Sequence, residues 1–265
     1  MRDFFGNMGY NAAFWMVGLS RLFTLFGAVL SAFFQGFYTK GIIQPRHVFR
    51  QIVLMGVDSV GIICLVCAAV GMVLALQGGY QLDEFGATMY TGSLVSISVL
   101  RELGPLVAAI VITGRVGARV AAELGTMKVQ EEVDALTTMG LNPIRYLVLP
   151  RCLAMVVILP CLTVLADVMG MLGGFLIGTL SMGINAFLYL KVSFDVLVLK
   201  DVLMGLFKSV LFALLIALIS CDQGLAVEGG ADGVGKSTTQ AVVLSIIMII
   251  VMDCVATAIF MFVFP

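Results

Sequence analysis

Apolar residues gather into five long runs, at about Val57–Leu76, Ala87–Thr113, Tyr146–Leu180, Val196–Ser220 and Ala241–Phe264. Each is long enough to cross a hydrocarbon core, which takes about 20 helical residues. The stretches between them are polar. The pattern predicts an all-α polytopic membrane protein whose five-span domain occupies residues 51–265. The first fifty residues read differently. An apolar run, about Phe14–Tyr38, carries Arg21 in its middle and feeds a basic stretch with Lys40, Arg46, His47 and Arg50. This predicts a helix lying in the inner-leaflet interface. A sixth span or an uncleaved signal anchor is the alternative. No small-residue cleavage site stands out, so the N-terminus is expected to be retained.

Composition agrees with that picture. The chain is 61% hydrophobic and 12% charged, with a mean hydropathy of +1.11. Soluble domains carry about twice that charge, so this chain could not coat a globule with polar side chains. A net charge of −1 argues against a nucleic-acid partner. One histidine, His47, leaves little scope for metal chemistry, and no metal site is expected. Cys64 and Cys67 have redox-motif spacing but sit inside an apolar run, where cysteine behaves as a small hydrophobe.

Lysine and arginine placement orients the spans. The basic stretch before the first span is cytoplasmic. The loop around Asp83 and Glu84 has no Lys or Arg and falls outside. The next loop carries Arg115, Arg119, Lys128, Arg145 and Arg151 and returns inside. Continuing the alternation, "SMGINAFLYLKVSFD" is an outer loop, "GADGVGKS" is an inner one, and the C-terminus emerges outside.

The third span is longer than one straight crossing needs, and Pro150 and Pro160 predict an interfacial entry and a kink. Gly170, Gly174 and Gly178 recur every four residues and predict one face for close helix packing. Between spans two and three, Val129, Val133, Leu136 and Met139 follow helical spacing, while Lys128, Glu131, Glu132 and Asp134 fill the rest. Gly140 and Pro143 end the segment. A short amphipathic helix is expected there. Its acidity favours docking on a soluble partner over floating on anionic lipid.

Span two holds Arg101 and Glu102 near its middle, followed at once by Gly104 and Pro105. Ionisable groups at that depth are costly and default to a functional reading. Proline removes a backbone donor, so a local break is expected. Two readings stand: the pair lines a cavity, or it is satisfied by other buried charges, with Asp167, Lys208 and Asp253 as candidates.

Residues 230–237 also match the phosphate-loop pattern G-x-x-x-x-G-K-[ST]. That loop needs a strand before it and an α/β sheet around it, and neither is available between two membrane spans. The glycines are expected to form a tight elbow, with Ser237 or Thr238 placed to cap the next helix. Lys236 is expected to sit near a lipid headgroup or to snorkel from span five.

The run "LRELGPLVAAIVITGRVGARVAAELGTMKVQEEVDALTTMGLNPIRYLVLPR" resembles the MlaE permease family, the membrane subunits of ABC systems that move phospholipids and work with MCE-domain proteins. The similarity extends from about Asp58 to the C-terminus and includes "LALQGGYQL", "KSVLFALLIALISC" and "GADGVGKSTTQAVV". The resemblance implies a homodimer in the inner membrane of a Gram-negative-type bacterium. Each copy would dock on a cytoplasmic ABC ATPase, which binds the ATP and Mg. This chain is expected to be non-catalytic and to bind no cofactor of its own. An MCE hexamer on the periplasmic face and a STAS-domain protein are implied partners, and phospholipid the implied substrate. The expected role is to maintain outer-membrane lipid asymmetry. Thr126–Met139 would be the coupling helix, and Arg101, Glu102 and Leu103 would lie near a lipid cavity with Phe85 at its mouth. The competing reading is an ion-coupled secondary transporter of a small solute using Glu102, Asp167 and Asp253. Against it, no inverted repeat is visible in five spans. A passive membrane scaffold is a weaker competitor.

Overall fold

A computed structural model describes residues 20–33 and 45–263. The basic residue Lys40 and both ends of the Phe14–Tyr38 run lie outside the described residues. The helices are α1 (Ser20–Phe33), α2 (Pro45–Glu84), α3 (Thr91–Ser98), α4 (Gly104–Ile112) and α5 (Ala118–Val129). They continue with α6 (Glu132–Thr138), α7 (Leu149–Leu180), α8 (Ala186–Val196), α9 (Leu199–Leu225) and α10 (Gly230–Val263). No strand occurs among the described residues. Five segments are long and apolar enough to span a membrane: Val48–Glu84, Thr88–Val129, Ile144–Leu180, Leu199–Leu225 and Gly230–Phe262. The chain is an all-α polytopic membrane protein.

The second span is built from α3, α4 and α5, joined by two π-helical turns, Val99–Leu103 and Thr113–Gly117. α5 continues the rod beyond the apolar stretch, to the end of the bundle that carries Arg119, Lys128 and Arg145. This is the basic end. α1 packs on the bundle. Its Val29 and Ala32 are buried in the main core, and Arg21 acts electrostatically on Asp222 near the end of α9.

Glycines set the closest helix approach. α2 and α7 pair along much of their length. A Cβ on Gly71 would lie 1.9 Å from the Gly170 carbonyl oxygen, and one on Gly173 would lie 2.1 Å from that of Ala68. Gly170, Gly174 and Gly178 face other partners. Their missing side chains make room for Val99, Val95 and the ring of Tyr189. Pro150 follows the π turn Ile144–Val148 at the start of α7, as Pro105 follows Val99–Leu103 in span two. Pro160 lies inside the same continuous helix.

Three expectations need correction. The segment Thr126–Met139 is two helices, not one. α5 ends at Val129, Glu131 adopts φ 60°, and α6 starts at Glu132. The stretch read as an outer loop contains α8, whose first turn is capped by Asn185 accepting from Phe187 N at 2.9 Å. Tyr189 of α8 fills the groove beside Gly174 and Gly178, and burial pushes its phenol up to about 12. Finally, "GADGVGKS" is helix from its first residue. The turn is made by Gly229 and Gly230, at φ 87° and 74°, and α10 runs on from Gly230. Ser237 does not cap: it donates to the carbonyl of Gln223, tying α10 to α9. Thr238 donates back to Val234 within the helix. From Val234 onward the N–H groups of the pattern donate back along the helix, and no strand precedes the turn among the described residues.

Candidate functional site

The site begins with the proline of span two. In an α-helix the N–H of residue 105 would donate to the carbonyl of Arg101, and Pro105 has none. The helix widens into the π turn Val99–Leu103, in which Gly104 N–H donates to Val99 O. π turns of this kind recur at functional positions. Lys208 of α9 reaches across and donates to the Arg101 carbonyl at 3.2 Å.

Lys208 is the centre of a charge node. It is 1% exposed. Its ammonium donates to Glu102 Oε2 at 2.6 Å and to Thr257 Oγ1 at 2.7 Å, and it pairs with Asp253 Oδ1 at 2.8 Å. Thr257 passes the bond on, donating to Glu102 Oε1 at 2.9 Å. Span two, α9 and α10 are therefore joined at one point. Beside it, Arg101 Nε donates to Asp201 Oδ1 at 2.7 Å, while the other oxygen of Asp201 accepts from Val198 N at 3.4 Å and caps α9. α9 runs parallel to span two. Gly205 abuts the carbonyl of Leu100, and Gly224 abuts Ala121.

A cavity of about 240 Å³ opens over this node. Arg101, Glu102, Lys200, Asp201 and Thr257 form its polar lining, and Met204, Phe260 and Met261 its apolar walls. Of the residues expected at a lipid site, Arg101 and Glu102 meet here. Leu103 turns the other way, into a narrow crevice with Cys67, Val70 and Gly170. Phe85 is exposed in the turn after α2. Lys236 is exposed in the early turns of α10, near the basic end. Neither lines the cavity.

At the basic end, Lys128 Nζ donates to both carboxylate oxygens of Asp134, at 3.0 and 3.1 Å, across the break at Glu131. Val133 is buried and Met139 is 74% exposed. Glu132 stands in the first turn of α6, where the helix dipole favours a carboxylate. Glu123 braces this elbow, accepting from Arg119 Nε at 2.8 Å and from Arg151 at 3.4 Å.

Sequence reasoning named Lys208 and Asp253 as partners for the span-two charges but missed Asp201 and Thr257. Asp201 is one hundred residues from Arg101, and nothing in the spacing links them. Among the described residues no group of His, Cys, Asp or Glu converges as a metal site.

Five apolar spans around a charge node, with a braced polar elbow at one end, define a multi-pass membrane protein. Comparison with known proteins agrees. A family model described as Permease MlaE matches residues 48–259, and the chain belongs to that family of ABC transporter permeases. It is 40% identical over 230 residues to a probable ABC transporter permease protein of Rickettsia typhi, covering 85% of this chain and 89% of the relative. It is also 40% identical over 242 residues to a probable ABC transporter permease protein of Synechocystis, covering 91% and 90%. The chloroplastic protein Trigalactosyldiacylglycerol 1 of Arabidopsis thaliana is 36% identical over 221 residues, covering 83% of this chain and 63% of the relative.

Proposed function

We propose that this chain is the membrane subunit of an ABC system that moves phospholipids between the inner and outer membranes and so maintains outer-membrane lipid asymmetry. The observation that carries the reading is the cavity over the charge node. Its floor offers Arg101 to a phosphate headgroup, and its walls, Met204, Phe260 and Met261, suit acyl chains. The plant relative whose name contains a glycerolipid supports a lipid cargo. Membership in an ABC permease family implies an ATPase partner, which would hold ATP and Mg.

In this reading two copies pair in the inner membrane, with the N-terminus and the α5–α6 elbow cytoplasmic and the C-terminus periplasmic. ATP closes the ATPase subunits against Glu131, Glu132 and Met139, and the elbow passes that motion to span two. Span two carries Arg101 and Glu102, so the cavity floor moves with it. An MCE hexamer receives or delivers lipid on the periplasmic face, and a STAS-domain protein binds the ATPase. A secondary transporter would use Glu102, Asp167 and Asp253 as ion sites, but Glu102 and Asp253 are already paired with Lys208 and Asp167 does not line the cavity.

The test is to purify the chain with its copurifying proteins and lipids and to identify both. An ABC ATPase, an MCE protein and glycerophospholipid are expected. Transport that persists without any ATPase would overturn the reading.

A further inference from the structure

Asp167 is the one charged residue of α7's apolar middle, and the charge node does not use it. It lies on the other side of span two from Lys208, next to the crevice that Cys67, Leu103 and Gly170 line. Its Oδ1 is buried without a hydrogen-bond partner. The residue as a whole is half-buried, but an ionised carboxylate oxygen enclosed without a partner is costly. Its immediate neighbour is the end of the π turn. A Cβ on Gly104 would stand 1.7 Å from Asp167 Oδ1 and 3.0 Å from the Val99 carbonyl oxygen. The absent side chain of Gly104 thus leaves the Asp167 carboxyl room beside the turn, on the side where the Val99 carbonyl oxygen also stands. A proton on that carboxyl would let Oδ1 donate toward the carbonyl and end its lack of a partner. Val99 O already accepts from Gly104 N–H across the wide turn and has a second lone pair to offer.

We infer that Asp167 is a positioning residue for span two: as a carboxylic acid it donates a hydrogen bond to the Val99 carbonyl and holds the π turn from behind. The consequence runs through that turn. Arg101 and Glu102 are its third and fourth residues, and their reach to Asp201 and Lys208 depends on the wide geometry. A turn that relaxed to α-helical register would rotate both side chains about the helix axis and away from the cavity floor. Gly104 is then required for a second reason besides loosening the helix, since any side chain there displaces the acid. The inference rests on the fold alone and does not depend on which cargo the permease carries.

The experiment uses the full chain in lipid nanodiscs and follows hydrogen–deuterium exchange over residues 99–106. Asp167→Asn keeps the shape and an N–H donor, and should exchange within about twofold of the native chain. Asp167→Leu keeps the bulk without a donor, and should exchange at least tenfold faster there, with the α9 amides near Gly224 unchanged. If the leucine chain is not recovered, Asp167→Ala takes its place. Asparagine exchanging as fast as leucine would mean the anion is what matters, and would overturn the inference. Native exchange in both variants would make Asp167 a space filler and would overturn it equally. Because no lipid or nucleotide is read, this outcome is separate from the fate of the transport reading.

Discussion

Lys208 and Glu102 lie 2.6 Å apart, and the lysine that joins them to Asp253 and Thr257 is almost fully enclosed. Such a node is held by completeness, because each partner removed strands the others. Lys208→Met should destabilise the chain by about 3–5 kcal/mol, the cost of breaking a buried pair from one side. Adding Glu102→Gln and Asp253→Asn to that variant should return most of the loss, since no charge is then stranded. Thermal unfolding in detergent would read both. A single Lys208→Met variant as stable as the native chain would show that the node is solvated.

Asp201 has two jobs on two oxygens, and the second is not exchangeable. One oxygen accepts from Arg101 and the other caps α9 at Val198 N. Asp201→Asn should keep the cap and lose the pair. Asp201→Ala should lose both, with the cap alone worth about 1 kcal/mol. The reversed pair, Arg101→Asp with Asp201→Arg, should therefore fail to recover native stability although it restores opposite charges. Recovery in an unfolding experiment would assign Asp201 to pairing alone.

Glycine positions separate into tight and open ones. Gly173→Ala and Gly71→Ala would each drive a methyl into backbone, at 2.1 and 1.9 Å. The helices must part, and a loss of at least about 1–3 kcal/mol is expected. Gly61, also in α2, has nothing within 4 Å of its missing Cβ, so Gly61→Ala should gain up to about 1 kcal/mol in helix propensity. Unfolding temperatures of the three variants would rank them.

Lys236 tests the phosphate-loop pattern directly. Lys236→Ala should leave ATP hydrolysis by the copurified complex within about twofold of native, because the pattern joins two membrane helices and no strand precedes it among the described residues. Nucleotide photolabelling should fall on a partner chain. Loss of labelling on this chain in the variant would restore the ATPase reading.

Long-period features were legible in the chain and close geometry was not. Hydropathy over twenty residues exposes all five spans because lipid forces each backbone to satisfy itself. Gly104-Pro105 signalled a disturbed helix, since proline's missing donor is a property of one residue. What it could not signal was which side chain takes the freed carbonyl, because Lys208 arrives from another helix. The glycine repeat at 170, 174 and 178 is legible by its period, and Gly170 is one side of the close backbone approach to Gly71, whereas Gly173, which meets Ala68, lies off that period. α8 is hidden from positive-inside counting, which treats its segment as a loop. Asn185 before five apolar or aromatic residues was an available cap signal. The break at Glu131 left no trace, as glutamate is an ordinary helix former.

That break carries the last prediction. Glu131 holds φ 60°, a conformation that costs a residue with a Cβ about 1–2 kcal/mol, while Lys128 clasps Asp134 across it. Glu131→Gly should relieve the strain and raise stability by up to about 1 kcal/mol, while Glu131→Val should lower it. The clasp is partly solvated, so Lys128→Ala should cost less than about 1 kcal/mol of stability. Its effect should appear instead in coupling, as ATP hydrolysis that no longer tracks transport, because the angle between α5 and α6 is then unrestrained. Reversing the charges, Glu131→Lys with Glu132→Lys, should go further and release the ATPase on purification. Native transport and native ATPase recovery in that double variant would remove the elbow from the coupling path and leave Lys128 and Asp134 as a purely local brace.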